Sequence, residues 1–153
     1  MSVKIQISEV IDRSVTEVFR FYALEHVRNH PRWDPFMQLE QVTDGPIGVG
    51  SIIKRINSRS GRPVEGTMEV VEFEPDRAIG MITHDGPVEI HGRVTFEAVG
   101  EDQTILTLHV EFLGMDESTG SMMKSAIQKG YKTIKQLIES EVNESRNSLK
   151  FDH

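Results

Sequence analysis

From residue 36 to about residue 112 the sequence reads as six short stretches of alternating apolar and polar residues, separated by the turn segments DGPIGVG, SRSGRP, EPDR, HDGP and VGEDQ. The alternation is clearest where Val88, Ile90, Gly92, Val94 and Phe96 face away from Glu89, His91, Arg93, Thr95 and Glu97. It recurs where Leu106, Leu108, Val110 and Phe112 oppose Thr107, His109 and Glu111. A period of two gives each strand one apolar and one wet face, as in an antiparallel sheet open to solvent on one side. Residues 3–11 add a seventh strand, with Val3, Ile5, Ile7 and Ile11 against Lys4, Gln6 and Ser8, and Glu9 interrupting the apolar side. Such a sheet needs a cover. Between about Glu117 and Val142, Met123, Ile127, Gly130, Ile134, Leu137 and Ile138 recur at steps of three and four. That helix, of about 26 residues and so about 40 Å long, is the only segment able to cross the sheet.

Between the first strand and the meander, SVTEVFRFY places Ser14 and Glu17 at capping-box spacing ahead of Val15, Val18, Phe19 and Tyr22 at helical intervals. A second short helix through EHVRN is predicted to end before Pro31, because proline disfavours helical geometry in the residue ahead of it. The stretch NHPRWDPF then becomes a loop leading to the second strand. The expected architecture is α+β: a seven-stranded curved antiparallel sheet wrapped around a long C-terminal helix, with two short helices after strand 1. One domain is expected over residues 1–145, followed by a polar tail, 146–153, that frays.

The chain's 153 residues suit a single core, and 37% hydrophobic with 27% charged residues describes a globular protein. Without cysteine, disulfides, thiolate nucleophiles and cysteine-ligated metals are excluded. A net charge of −7 repels phosphate backbones, and the basic residues Lys54, Arg55, Arg59 and Arg62 make only a weak cluster, so nucleic acid is not an expected partner. No window is apolar enough to span a bilayer and the N-terminus lacks a leader pattern, which together predict a cytoplasmic protein with no integral membrane association. An exposed strand edge would allow a homodimer.

The stretches IDRSVTEVFRFYAL (11–24), HPRWDPF (30–36), DGPIGVGS (44–51), EVVEFEPDRAI (69–79) and GRVTFEAVGEDQTILTLHVEF (92–112), followed by the final helix, carry a resemblance that covers nearly the whole chain. The sequence resembles the START-related helix-grip (SRPBCC) superfamily, and within it the bacterial polyketide cyclase/dehydrase and lipid transport proteins. Members of that superfamily include aromatic polyketide cyclases, carriers of steroids, phospholipids and quinones, plant hormone-binding proteins and chaperone activators. One departure is Arg13-Ser14, where the family often has Ala-Pro; a serine cap starts a helix equally well.

A curved sheet wrapped around a helix with small or flexible residues on its inner side leaves space between the two. Gly130 interrupts the helix's apolar stripe, where glycine costs about 1 kcal/mol relative to alanine; close packing against the sheet or room for a ligand would explain it. Met68, Met81, Met115, Met122 and Met123 fall on segments expected at the interior or the mouth, where a flexible thioether adapts to a guest. The expected lining comprises Trp33, Ile56, Met68, Met81 and Ile90, together with Val94, Leu108, Met123, Ile127 and Tyr131. Almost wholly apolar inner faces suit a lipid, polyketide or aromatic molecule: burying about 300 Å² of it at roughly 25 cal/mol per Å² yields several kcal/mol before ordering costs.

Three function classes follow. The first is a binding protein or carrier for a hydrophobic small molecule, needing no cofactor. The second is a cyclase or dehydratase, for which the inward polar candidates are Glu9 by strand parity, His84 near the end of the fifth strand, and Tyr131 beside Gly130. The third is a protein-interaction module of the chaperone-activator kind. His30 and Asp34, separated by Pro31, are not expected to form a dyad, and Trp33 is expected to cap the cavity or touch the ligand. His91 and His109 fall on the wet face and are too few for a metal site.

Overall fold

A computed structural model describes residues 2–151, with side chains described as far as Glu141. Ten-residue alternation places β1 at Ser2–Ile11, with Ile5, Ile7 and Ile11 buried. Six further strands follow the short helices: β2 (Met37–Gln41), β3 (Ile52–Asn57), β4 (Val64–Glu74), β5 (Ala78–Asp85), β6 (Val88–Ala98) and β7 (Thr104–Leu113). They form one antiparallel sheet in the order β1-β7-β6-β5-β4-β3-β2. This is the predicted meander, with β1 added beside the last strand. A register shift between Val70 and Glu72 in β4 adds the local twist that a bulge brings to a curving sheet.

The first helix, α1 (Val15–Phe19), begins with the predicted capping box: the Glu17 N–H donates to Ser14 Oγ, and the Ser14 N–H donates to the Glu17 carboxylate. A π-helical turn at Arg20–Leu24 follows, closed by the Glu25 N–H donating to the Arg20 carbonyl at 2.9 Å, and buries Phe21, Tyr22 and Ala23 in succession. The next helix, α2 (His26–Trp33), corrects the expectation of a stop before Pro31, which lies inside it. Proline removes one backbone donor. Side-chain packing outweighs the loss: Asn29 donates to the Phe21 carbonyl at 2.9 Å, and Trp33 stacks parallel to both Tyr22 and His30. The connection to β2 is therefore only residues 34–36.

The long helix α3 spans Glu117–Phe151, with side chains beyond Glu141 outside the described residues, as are those of the predicted tail at 146–153. It packs along β1, while α2 packs against both β2 and α3, so the two short helices and α3 fill the opening between the edge strands. Lys135 donates to the Val10 carbonyl at 2.7 Å, and the Asp12 N–H donates to Glu139 at 2.9 Å, tying α3 to the end of β1. The two halves of α3 differ. Ile134 and Ile138 are fully buried beside Ile11, Val18, Phe19 and Leu106, whereas Met123, Ala126 and Ile127 are only half-buried. The solid core lies at one end, and a hollow lies under the other.

Candidate functional site

That hollow is a cavity of about 160 Å³ bounded by the inner face of the sheet, the first half of α3, and α2. The apolar walls come from positions that alternation points inward: Met68, Ile79, Met81, Ile90, Val94 and Leu108 on the sheet, with Met123 and Ile127 on the helix. Gly92 completes the β6 face; a Cβ built there would meet nothing within 4 Å, so the strand's missing side chain contributes directly to the volume.

Of the expected lining residues, Trp33, Met68, Met81, Ile90, Val94, Leu108, Met123, Ile127 and Tyr131 border this cavity. Ile56 does not. In IIKRIN the structure buries Ile53 and Arg55 and turns Ile56 to the other face, the reverse of the parity that apolarity alone suggests. Arg55 tolerates that position because Asp85 on β5 neutralises it: Arg55 Nε donates to Asp85 Oδ1 at 2.8 Å and Nη2 donates to Oδ2. Asn57 adds a bond to Oδ2 at 3.2 Å. Gly66 lies between them on β4, paired with both Arg55 and Asp85, and a Cβ there would sit 2.5 Å from Asp85 Oδ1. The glycine is the gap through which the ion pair closes.

A further part of the lining comes from the π-helical turn and α2, which bring Tyr22, His26, His30 and Trp33 to the cavity. Ring contacts run along it: Tyr22 against His26 at 5.3 Å, His26 against His30 at 4.8 Å, and His30 stacked on Trp33 at 5.1 Å. The Tyr22 and Tyr131 hydroxyls meet at 2.9 Å. Burial pushes the Tyr22 hydroxyl up to about 12 and the Tyr131 hydroxyl well above its usual value, so both stay neutral. Burial likewise lowers His26 to about 4, against a smaller opposing effect of its bond to the Tyr22 carbonyl. His30 falls well below its ordinary value, through burial first and then the charges of His26, Arg55 and Arg59. The cavity is thus apolar on the sheet and α3 sides and polar on the α2 and β3 side, which corrects the expectation of almost wholly apolar inner faces.

The catalytic candidates from sequence fare differently. Tyr131 is buried at the cavity, but Glu9 is half-buried beside a separate open groove between β1, α3 and residues 34–36. His84 is exposed on the outer face, bonded to Glu89 at 2.8 Å. Glu89 also bonds His91 at 2.7 Å, and His91 pairs in register with Glu111 while His109 pairs with Arg93, so the two histidines are diagonal neighbours on the wet side. Asp34 forms an ion pair with Arg59 at 2.6 Å. Met115 is half-buried against the core, and Met122 points into solvent. The space at Gly130 serves α2 rather than the sheet: a Cβ there would stand 3.4 Å from Trp33 Cδ1. Sequence reasoning passed over His26 and weighed His30 only as a partner of Asp34. Their signal was the i, i+4, i+7 spacing of His26, His30 and Trp33, visible only once the helix is carried through Pro31.

Solved structures with the same fold include a START superfamily protein from Mycobacterium smegmatis, at TM-score 0.72 and 13% identity, covering 90% of this chain and 97% of that one. The ZhuI aromatase/cyclase from Streptomyces sp. R1128 superposes at TM-score 0.71 and 13% identity over 93% of this chain and 96% of its own. Norcoclaurine synthase from Thalictrum flavum, solved in complex with dopamine and hydroxybenzaldehyde, gives TM-score 0.66 at 14% identity, with 92% and 88% covered. At these identities the likeness establishes the helix-grip fold. No curated protein matches the sequence, and no described helix is long and apolar enough to cross a membrane. The family model for polyketide cyclase / dehydrase and lipid transport matches residues 2–139, and the chain belongs to that family.

Proposed function

We propose that the protein binds a small hydrophobic molecule, of about the size of one aromatic ring, between the sheet and α3. The observation that carries this reading is the cavity itself: about 160 Å³, walled on two sides by apolar side chains. A dry apolar cavity of about 150 Å³ is enough to hold benzene. Larger polyketides or lipids would require α3 or the methionines Met81 and Met123 to yield, which flexible thioethers do readily. The norcoclaurine synthase structure, solved with the aromatic guests dopamine and hydroxybenzaldehyde, supports an aromatic guest. A cytoplasmic carrier and a possible homodimer belong to this proposal.

Calorimetric titration with toluene and indole tests it. Saturable binding with a negative heat-capacity change is expected, and failure of both to bind would overturn the reading. The polar α2 wall favours a second reading, a cyclase or dehydratase-type enzyme in which groups beside the cavity move a proton. Conversion of a poly-β-ketone thioester by the wild-type protein, lost on truncating the cavity-lining polar side chains, is its test.

A further inference from the structure

The open groove between β1, α3 and residues 34–36, of about 1140 Å³, takes no part in the binding reading above. One of its walls is the free edge of β1, which pairs only with β7. In an antiparallel strand the N–H and C=O of one residue point to the same side, and the side alternates from residue to residue. In β1 the even positions point away from β7: the Val10 carbonyl accepts from Lys135 Nζ at 2.7 Å, and the Asp12 N–H, two positions on, donates to Glu139. By the same parity the N–H and C=O of Gln6 and Ser8 point out from the sheet edge, and both residues border the groove. Among the described residues nothing bonds their backbone on that side. A free sheet edge is a template for another strand.

The charges around the groove select the strand. Residues 118–138 of α3 include Lys124, Lys129, Lys132 and Lys135 and no acidic residue, in a chain of net charge −7. Lys129 and Lys132 are exposed in the groove and enter no ion pair among the described residues. Asp34 is matched there by Arg59, which leaves Glu9 alone against the two lysines. Pro35 and the exposed ring of Phe36 add an apolar rim. The groove therefore combines unused backbone donors and acceptors with a positive strip on an acidic protein.

We infer that this groove docks an extended acidic segment of a partner protein, which joins the sheet as a further strand beside β1 and sets its carboxylates against Lys129 and Lys132. Backbone pairing with Gln6 and Ser8 supplies affinity, and the alternate side chains supply selectivity. Two free lysines beside Glu9 are too few to hold a nucleic acid, whose affinity grows with each phosphate neutralised. A second copy pairing β1 with β1 would carry both lysine strips to one interface, like charge beside like charge.

The probe is a blocked, dye-labelled peptide of alternating threonine and glutamate, about seven residues long, titrated against the full chain by fluorescence anisotropy beside a threonine–lysine counterpart. The glutamate peptide is expected to bind saturably and roughly tenfold tighter than the lysine peptide, and Lys129→Glu/Lys132→Glu should remove that preference. Ser8→Pro should abolish binding while keeping the β1–β7 ladder, because the N–H it removes points outward. Amide exchange gives a readout without any variant: Gln6 and Ser8 should exchange fast in the free protein and slowly with the glutamate peptide bound, while Ile5 and Ile7 stay slow throughout. Binding of neither peptide, equal binding of both, or Gln6 and Ser8 amides unmoved by the bound peptide would overturn the proposal. So would slow exchange of those amides in peptide-free protein that sediments as a dimer, which would give the edge to a second copy. Displacement of the peptide by duplex DNA at equal charge concentration would overturn it as well, by assigning the lysine strip to polyanions at large.

Discussion

Arg55 on β3 and Asp85 on β5 join across the strand between them, over the backbone of Gly66, with side chains only 7% and 9% exposed. A charge pair this dry is held by its geometry. Removing either partner strands the other in a medium that solvates it poorly, at a cost of about 3–5 kcal/mol. Asp85→Asn is expected to lower the urea midpoint accordingly, whereas the double variant Arg55→Met/Asp85→Leu should lose less than the sum of its single variants. Additive single and double effects would show that the pair is not coupled.

The same row of residues gives a steric prediction. A Cβ at Gly66 would meet the His84 carbonyl oxygen at 2.1 Å, and that atom is backbone. Gly66→Ala is thus expected to destabilise by more than the roughly 1–3 kcal/mol usual for overpacking, with denaturant unfolding as the measure. A neutral outcome would mean that β4 and β5 separate more easily than their ladder implies.

Two glycines on α3 should respond in opposite directions to alanine. At Gly120 a Cβ would lie 2.5 Å from Val3 Cγ1, so helix and β1 would have to part; at Gly130 the nearest atom is 3.4 Å away. Helix propensity favours alanine by about 1 kcal/mol at either position. Gly120→Ala should destabilise and be rescued by Val3→Ala, while Gly130→Ala should be neutral to stabilising by thermal melt. Equal shifts at the two sites would refute this packing of α3.

The two histidines of α2 set a pH response. Both are held below their ordinary value in the folded state, chiefly by burial. The unfolded chain therefore takes up protons first as pH falls, and stability drops from about pH 6.5 down toward about pH 4. For His26, lowered to about 4, the full loss is on the order of 3 kcal/mol. The carboxylates with depressed values, Glu72, Glu89 and Asp116, stabilise the fold above their ordinary range and add to the loss only as pH falls below it. Unfolding free energy measured between pH 7 and pH 5 should decline, and His26→Phe should decline less steeply. A flat profile over that window would contradict neutral burial of the pair.

Much of the fold was legible because it rests on periodicity. Strands with five inward positions, such as β6 and β7, declare their parity many times over, and so does α3. The weak points were short elements whose local signals conflict with distant partners. In β3 the apolar count favours Ile52 and Ile56, yet the chain buries Arg55, because Asp85, thirty positions later, changes what burial costs. In α2 the proline rule marks a boundary at His30, yet stacking among Tyr22, His30 and Trp33 carries the helix onward. Both errors fell on the polar wall of the cavity. That is where local preference and tertiary need diverge, and functional sites often occupy such places.

The last prediction uses a residue whose inward parity was readable but whose consequence was not. Gly92 interrupts the apolar face of β6 at the cavity, and open space surrounds the position its Cβ would take. Leucine there would enter the hollow without displacing the chain, replacing a residue that weakens a strand by one that packs. Gly92→Leu is expected to raise the melting temperature, since its Cβ meets open space and the side chain adds apolar surface to the hollow, and at the same time to abolish toluene and phenol binding. If the variant melts higher and still binds both probes with wild-type affinity, the guest does not occupy this cavity. Should it melt lower instead, the space beneath Gly92 is not the room the geometry describes.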